Sequence, residues 1–185
     1  LTSVTIPNSV QTIDYEAFYN CTGLSSITIP NSVRTIGTNA FYNCTGLTTI
    51  VLPNSVTNIG QSVFDNCSNL DTIISLNFIP PSCNSYTFNN ITTSVVVLVP
   101  TGCGNRYRSA TGWSQCINIQ EMDAYVAANG LRYWLYTLDG VNYAELMRKA
   151  DGTSYDASSY TIPSSVTKDG VTYSVTCIRD SVFFG

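Results

Sequence analysis

Apolar residues in the first half of this chain follow a fixed rhythm. Leu24, Ile27 and Ile29 turn inward while Ser26 and Thr28 face out, the alternation of a short strand with one buried face. Pro30-Asn31-Ser32 ends the run, because proline cannot donate to a strand ladder and Asn and Ser favour turns. Val33 and Ile36 bracket a second, shorter extended piece. Asn39-Ala-Phe-Tyr-Asn-Cys44 then predicts one or two turns of helix or 3-10 helix with Ala40 and Phe41 inward, and Thr45-Gly46 resets the chain. The whole phrase recurs from Leu1, Leu24 and Leu47, with a decayed fourth start at Leu70, a period of 23 residues.

A period of this length makes each unit one coil of a solenoid, and no coil can bury its apolar side alone. Coils stacked at strand spacing, about 4.8 Å, bring equivalent residues into columns. Leu1, Leu24, Leu47 and Leu70 form one; Phe18, Phe41 and Phe64 form another; Ile13, Ile36 and Ile59 a third. Pro7, Pro30 and Pro53 stand where each strand stops.

After Leu70 the rhythm changes. Asn77-Phe-Ile-Pro-Pro-Ser lengthens a loop, and Val95–Val99 reads as an apolar strand with no partner repeat beyond it. Tyr107, Gly112-Trp113 and Ile117-Asn-Ile119 supply the large residues a terminal cap requires; the alternative for Tyr107 and Trp113 is a sugar-stacking pair. The expected organisation is therefore an array over residues 1–121 with its cap at 77–121, and a linker at 122–129. Residues 130–185 then hold a β-hairpin cap and the first partial coil of a second array. The hairpin rests on strand-like runs flanking Asp139-Gly140, with Glu145-Leu-Met147 read as strand. Tyr160-Thr-Ile162-Pro163-Ser-Ser165-Val166 restates the repeat, an insert with its own Asp169-Gly170 turn follows, and Ile178 to Phe183 repeats the spacing of Ile13 to Phe18. Leu1 opens on the first residue of a repeat and the chain stops within a coil, so both ends read as cuts.

The phrases Ile29-Pro30-Asn31-Ser32-Val33, Ile36-Gly37 and Ala40-Phe41-Tyr42-Asn43-Cys44 resemble the BspA-type leucine-rich repeats of surface and secreted proteins in Bacteroidetes and some protists. The segment Val99-Pro-x-Gly102, Tyr107, Gly112-Trp113 is similar to the piece that closes such arrays. The resemblance implies a leucine-rich-repeat solenoid of short parallel strands, turns and short helical or 3-10 pieces in a right-handed coil. It also implies an extracellular or cell-surface location and a part in adhesion to host matrix proteins and other cells.

Composition narrows the chemistry. Charged residues make up 11% of the chain, less than half the usual share, and the formal net charge is −4. With Lys plus Arg at 8 there is no basic footprint for nucleic acid or an anionic membrane. No run of apolar residues is long enough to span a bilayer. The absence of histidine removes Ser-His-Asp and Cys-His catalytic groups, a His general base and His-containing zinc sites. Asp139, Asp151, Asp156 and Asp169 are scattered at turns and form no acid pair at the separation glycoside hydrolysis needs. Asp151 to Asp156 lacks the glycine and terminal glutamate of a calcium loop.

Cys21, Cys44 and Cys67 recur once per coil and read as a column of small buried thiols, since parallel side chains at equivalent places do not face one another. Cys83, Cys103 and Cys116 lie in the cap, where an exported protein would bridge one pair, with Cys103–Cys116 favoured. Asn20-Cys-Thr22, Asn43-Cys-Thr45, Asn66-Cys-Ser68 and Asn90-Ile-Thr92 match the N-glycosylation pattern; the structural alternative is that the repeat-position asparagines bond turn backbone between coils. No metal site and no cofactor is implied.

These readings favour a non-enzymatic binding or adhesion module with a protein or glycan partner. Solenoids present long regular surfaces, and Ser3, Thr5, Ser26, Thr28, Thr49 and Val51 line the outward strand face. The competing expectations are a spacer that holds something else away from the cell, and a glycan-recognition module that uses Tyr and Trp as platforms.

Overall fold

The computed structural model describes residues 1–122, 124–138, 141–147, 155–156, 161–178 and 183–184. The chain divides into two compact units, Leu1–Glu121 and Met122–Gly185.

In the first unit two parallel ladders run along the array. One contains β1 (Thr12–Ile13), β2 (Thr35–Ile36) and β4 (Asn58–Ile59), in register Ile13↔Ile36↔Ile59. The other begins with the isolated bridge Thr5↔Thr28 and continues through β3 (Thr49–Leu52), β5 (Thr72–Ser75), β6 (Val96–Val99) and β7 (Asn118–Glu121). Its register, Ile50↔Ile73↔Val97↔Ile119, keeps one inward column intact. Between the ladders lie Leu24, Val33, Ile36, Leu47, Val56 and Leu70, each fully or almost fully buried. Phe18, Phe41, Phe64 and Phe88 stack with centroid spacings of 5.2, 5.8 and 5.8 Å.

The third side differs from the sequence expectation. Residues 39–44 form tight turns, with no helix. Asn39 (φ 58°) and Asn43 (φ 54°) are left-handed, as are Glu16 and Asn20, and Ser62 and Asn66, at the equivalent places. Asparagine tolerates this conformation better than most residues. The left-handed residues swing alternate N–H groups out of any helical path and toward the following coil. Phe41 N–H donates to Val63 O (3.1 Å) and Asn43 N–H to Asp65 O (2.9 Å), while Ala40, Tyr42 and Cys44 close local turns. The coil thus hydrogen-bonds to its neighbour on this side as well.

The array also continues further than its phrase. Val95–Val99 has a partner beyond it: β6 pairs with β7, and Val97 faces Ile119. The segment expected to be purely a cap holds two more rungs, β6 and β7. The loop between them replaces the usual turns with a helix, α1 (Gly104–Ser109), and a short 3-10 turn (Trp113–Gln115), so the phrase vanishes while the inward alternation survives. Trp113, fully buried, tilts onto Phe88 at 4.8 Å and ends the aromatic stack. Tyr107 meets it edge-on at 5.0 Å. Their polar atoms are used internally: Trp113 Nε1 donates to Pro81 O (2.9 Å) and Tyr107 OH to Asn77 O (2.9 Å). Capping accounts for both rings, and neither is available to stack on a sugar. Glu121 fastens the last rung, its two oxygens accepting Gly102 N–H (2.7 Å) and Gly104 N–H (2.8 Å). These two bonds hold its carboxyl below the usual carboxylate range.

The second unit contains β8 (Ala124–Val126), β9 (Arg132–Leu138), β10 (Val141–Met147), β11 (Tyr155–Asp156), β12 (Ser165–Lys168), β13 (Val171–Ile178) and β14 (Phe183–Phe184). Among the described residues the main sheet has the order β12-β13-β10-β9-β8. β9 and β10 pair antiparallel from Leu138↔Val141; the Asp139-Gly140 turn itself lies outside the described residues, as does the stretch 151–154. β12 and β13 form a second hairpin whose Asp169 (φ 51°) and Gly170 (φ 80°) are both left-handed, as a two-residue type I′ turn requires. The parallel step of a solenoid reappears twice, between β10 and β13 and between β11 and β14. Within the stretch 122–129, expected as a linker, Ala124–Val126 joins this unit's sheet: β8 pairs with β9, and Tyr125 OH donates to Thr167 O (2.8 Å). Three residues give too short an alternation to read as a strand. The unit's core is Leu131, Tyr133, Ala144, Leu146, Tyr155 and Val166.

Coil stacking leaves no room at Gly46, where an added Cβ would stand 2.5 Å from Thr22 O, whereas at Gly23 the nearest atom would be 3.3 Å away. Gly46→Ala is expected to cost about 1–3 kcal/mol and Gly23→Ala much less, read as shifts in the urea unfolding midpoint. Phe64→Ala, which empties the centre of the aromatic stack, is expected to cost about 3–5 kcal/mol in the same measurement.

Candidate functional site

The ladder pairs, extended by the 23-residue period to Ser3, Ser26 and Thr28, bring the predicted strand-face residues into two outward columns. One runs Thr5, Thr28, Val51, Ile74, Leu98, Gln120, and the other Ser3, Ser26, Thr49, Thr72, Val96, Asn118. Ser3, Thr5 and Thr28 are exposed, and Ser26, Thr49 and Val51 half-buried. The surface is not small and polar throughout. From Val51 to Leu98 the first column is aliphatic, and Ile74 is buried. The sequence carried that signal: Thr72-Ile-Ile-Ser75 and the run from Val95 to Val99 lose the polar alternation of coils one and two, as strands with two apolar faces do.

The cysteine column is a set of inter-coil donors. Cys44 Sγ donates to Phe18 O and Cys67 Sγ to Phe41 O, each at 3.1 Å. Burial pushes the Cys44 thiol up to about 11 and the Cys67 thiol up to about 12. In the cap, Cys103 precedes α1 and Cys116 follows the 3-10 turn, both buried. Burial raises Cys116 to about 12, and the neighbouring thiol that adds to this is Cys83. Cys83 Sγ donates to Thr111 O (3.2 Å). Among the described residues no three His, Cys, Asp or Glu side chains converge as metal ligands.

The asparagines of the glycosylation-like triplets are engaged through their amides, and largely with side chains. Asn43 Nδ2 donates to Asn20 Oδ1 (2.8 Å), Asn66 Nδ2 to Tyr42 OH (2.9 Å) and Asn90 Nδ2 to Asp65 Oδ1 (2.9 Å). Beside this ladder the Tyr19 and Tyr42 rings stack at 5.0 Å with an interplanar angle of 6°. Asn39 Nδ2 donates to Glu16 Oε1 (3.3 Å). Tyr15 is 61% exposed, and its hydrogen bond to the Glu16 carboxylate, followed by that group's charge, raises its pKa above the ordinary phenol value. The sequence pattern did not single out this turn-side cluster, because Tyr15 and Glu16 occur only in the first coil.

The model of the BspA type leucine-rich repeat region matches residues 1–119 in six copies. The chain belongs to the BspA-type leucine-rich repeat family. Six copies against four legible starts agrees with the two extra rungs, β6 and β7. A solved leucine-rich repeat protein from Bacteroides ovatus is 26% identical, with a TM-score of 0.50 over 66% of this chain and 31% of that one. A leucine rich cell surface protein from Faecalibacterium prausnitzii is 23% identical, with a TM-score of 0.40 over 88% of this chain and 49% of its own. The chain thus spans less than half the length of either. No curated protein sequence matches it. No helix among the described residues is long and apolar enough to cross a membrane.

The raised thiols fix a sign for alkaline stability. An unfolded chain releases these protons near the ordinary value of 9, the folded array only near 11 to 12. The folded state therefore binds more protons within that window, and stability is expected to fall as pH rises from about 9. Replacing Cys44 and Cys67 by Ala should flatten this part of a stability–pH profile. Iodoacetamide at pH 8 should label neither thiol until denaturant is added, as peptide mass mapping can check.

Proposed function

We propose that this BspA-type array is a non-enzymatic binding and adhesion module of an exported, cell-surface protein, and that it engages an extended protein partner along its parallel-strand face. The observation that carries the reading is the column register: Thr5 bridges Thr28, and Ser3, Thr5 and Thr28 stand exposed on a regular ladder. Such a surface offers repeated, directionally equivalent contacts to a partner that is itself extended. The low charge of the array means that long-range steering contributes little and contact chemistry decides. Binding is favoured over catalysis because the chain has no histidine to serve as a general base or nucleophile activator.

Immobilised extracellular-matrix proteins provide the test. The triple variant Thr5→Lys, Thr28→Lys, Thr49→Lys should lower binding at least about tenfold while leaving the thermal transition in place. Undiminished binding by a folded triple variant would sink the strand-face assignment. A spacer would bind none of the matrix proteins even without substitution.

A further inference from the structure

A second surface lies on the turn side of the coils, away from the strand columns. There Tyr19 and Tyr42 stack in parallel, Asn20 and Asn43 are joined amide to amide, and Asn39 is joined to Glu16. Tyr15 and Tyr19 are 61% and 40% exposed. We propose that this face is a carbohydrate-binding surface for a neutral glycan chain, with Tyr15 as the stacking platform and Glu16, Asn39 and Asn43 as the hydroxyl-reading groups.

The chemistry of the groups selects the ligand. Each carboxamide has two N–H donors and an oxygen with two lone pairs. Asn43 spends one donor on the neighbouring coil, whereas the Asn39 amide meets both Glu16 and Tyr15 there, so Asn43 keeps a donor and both keep acceptor capacity for a ligand. A planar amide beside a carboxylate suits vicinal hydroxyls, which present a donor and an acceptor together. The exposed phenol ring of Tyr15 supplies an apolar face with a wet rim, which matches the C–H face of a pyranose. Anionic ligands fit poorly: Asp14, Glu16 and Asp65 lie on the turn segments of the first three coils, which carry no Lys or Arg. A purely apolar peptide fits poorly too, because buried amides and acids would lose their water without sufficient replacement.

The test is titration calorimetry with cellohexaose, laminarihexaose and xylohexaose, and with a trilysine peptide as the competing cationic class. At least one hexasaccharide should bind, and the peptide should not displace it. Tyr15→Ala, which removes an exposed ring, and Asn39→Ala should each weaken that sugar at least about tenfold. Tyr15→Phe should retain most of the affinity. Thr28→Lys on the strand face should leave the hexasaccharide affinity unchanged, which separates this surface from the one proposed for protein partners. The proposal is overturned if no hexasaccharide binds, if only the peptide binds, or if folded Tyr15→Ala binds the sugar as tightly as the parent chain.

Discussion

Stacking at strand spacing governs the array, because a single coil of 23 residues has neither enough apolar surface to enclose itself nor partners for its own backbone. The structure meets both needs through neighbours. Arg34 N–H donates to Gln11 O, Gly60 N–H to Ile36 O and Asp71 N–H to Thr48 O along the two ladders. On the turn side Phe18, Phe41 and Phe64 donate to Ala40, Val63 and Thr87. A turn that coiled into helix would keep these groups for itself and open the third side. The left-handed asparagines are therefore part of the solenoid's cohesion, as are the phenylalanines stacked beneath them.

The same constraint explains why the recurring cysteines and asparagines of the array line up instead of converging. A cysteine repeated once per coil meets the preceding carbonyl and becomes a buried donor with a raised pKa, the reverse of an activated nucleophile. An asparagine repeated once per coil meets the next side chain along and becomes a ladder. Catalysis needs different groups converging on one point, and a translational stack brings like groups into line. Lines suit extended ligands, which is the physical link from this architecture to binding.

Two surfaces follow from it, and they differ in kind. The strand face is a ladder of hydroxyls at Thr5 and Thr28 that passes into aliphatic side chains at Val51, Ile74 and Leu98. The turn face carries rings and carboxamides already tied from coil to coil. A partner on the first meets flat β-branched side chains; a partner on the second meets donors and acceptors held at fixed spacing. Pre-ordered groups lose little entropy on binding, which favours the turn face for small polar contacts.

The period and the inward columns were legible from sequence alone, because a repeat imposes one environment on every copy. The Leu, Ile and Phe columns needed only the 23-residue spacing. Three things belonged to the tertiary structure. Residues 39–44 look helical in isolation, and only the next coil's carbonyls make left-handed turns the better solution. The β6 and β7 rungs hide because α1 and the 3-10 turn displace the repeat phrase, leaving the inward alternation of Val97 and Ile119 as their trace. The Tyr15, Glu16 and Asn39 cluster joins two coils, so no pattern within one coil contains it. Sequence determines what each coil repeats; stacking decides what a residue meets in the coil beside it.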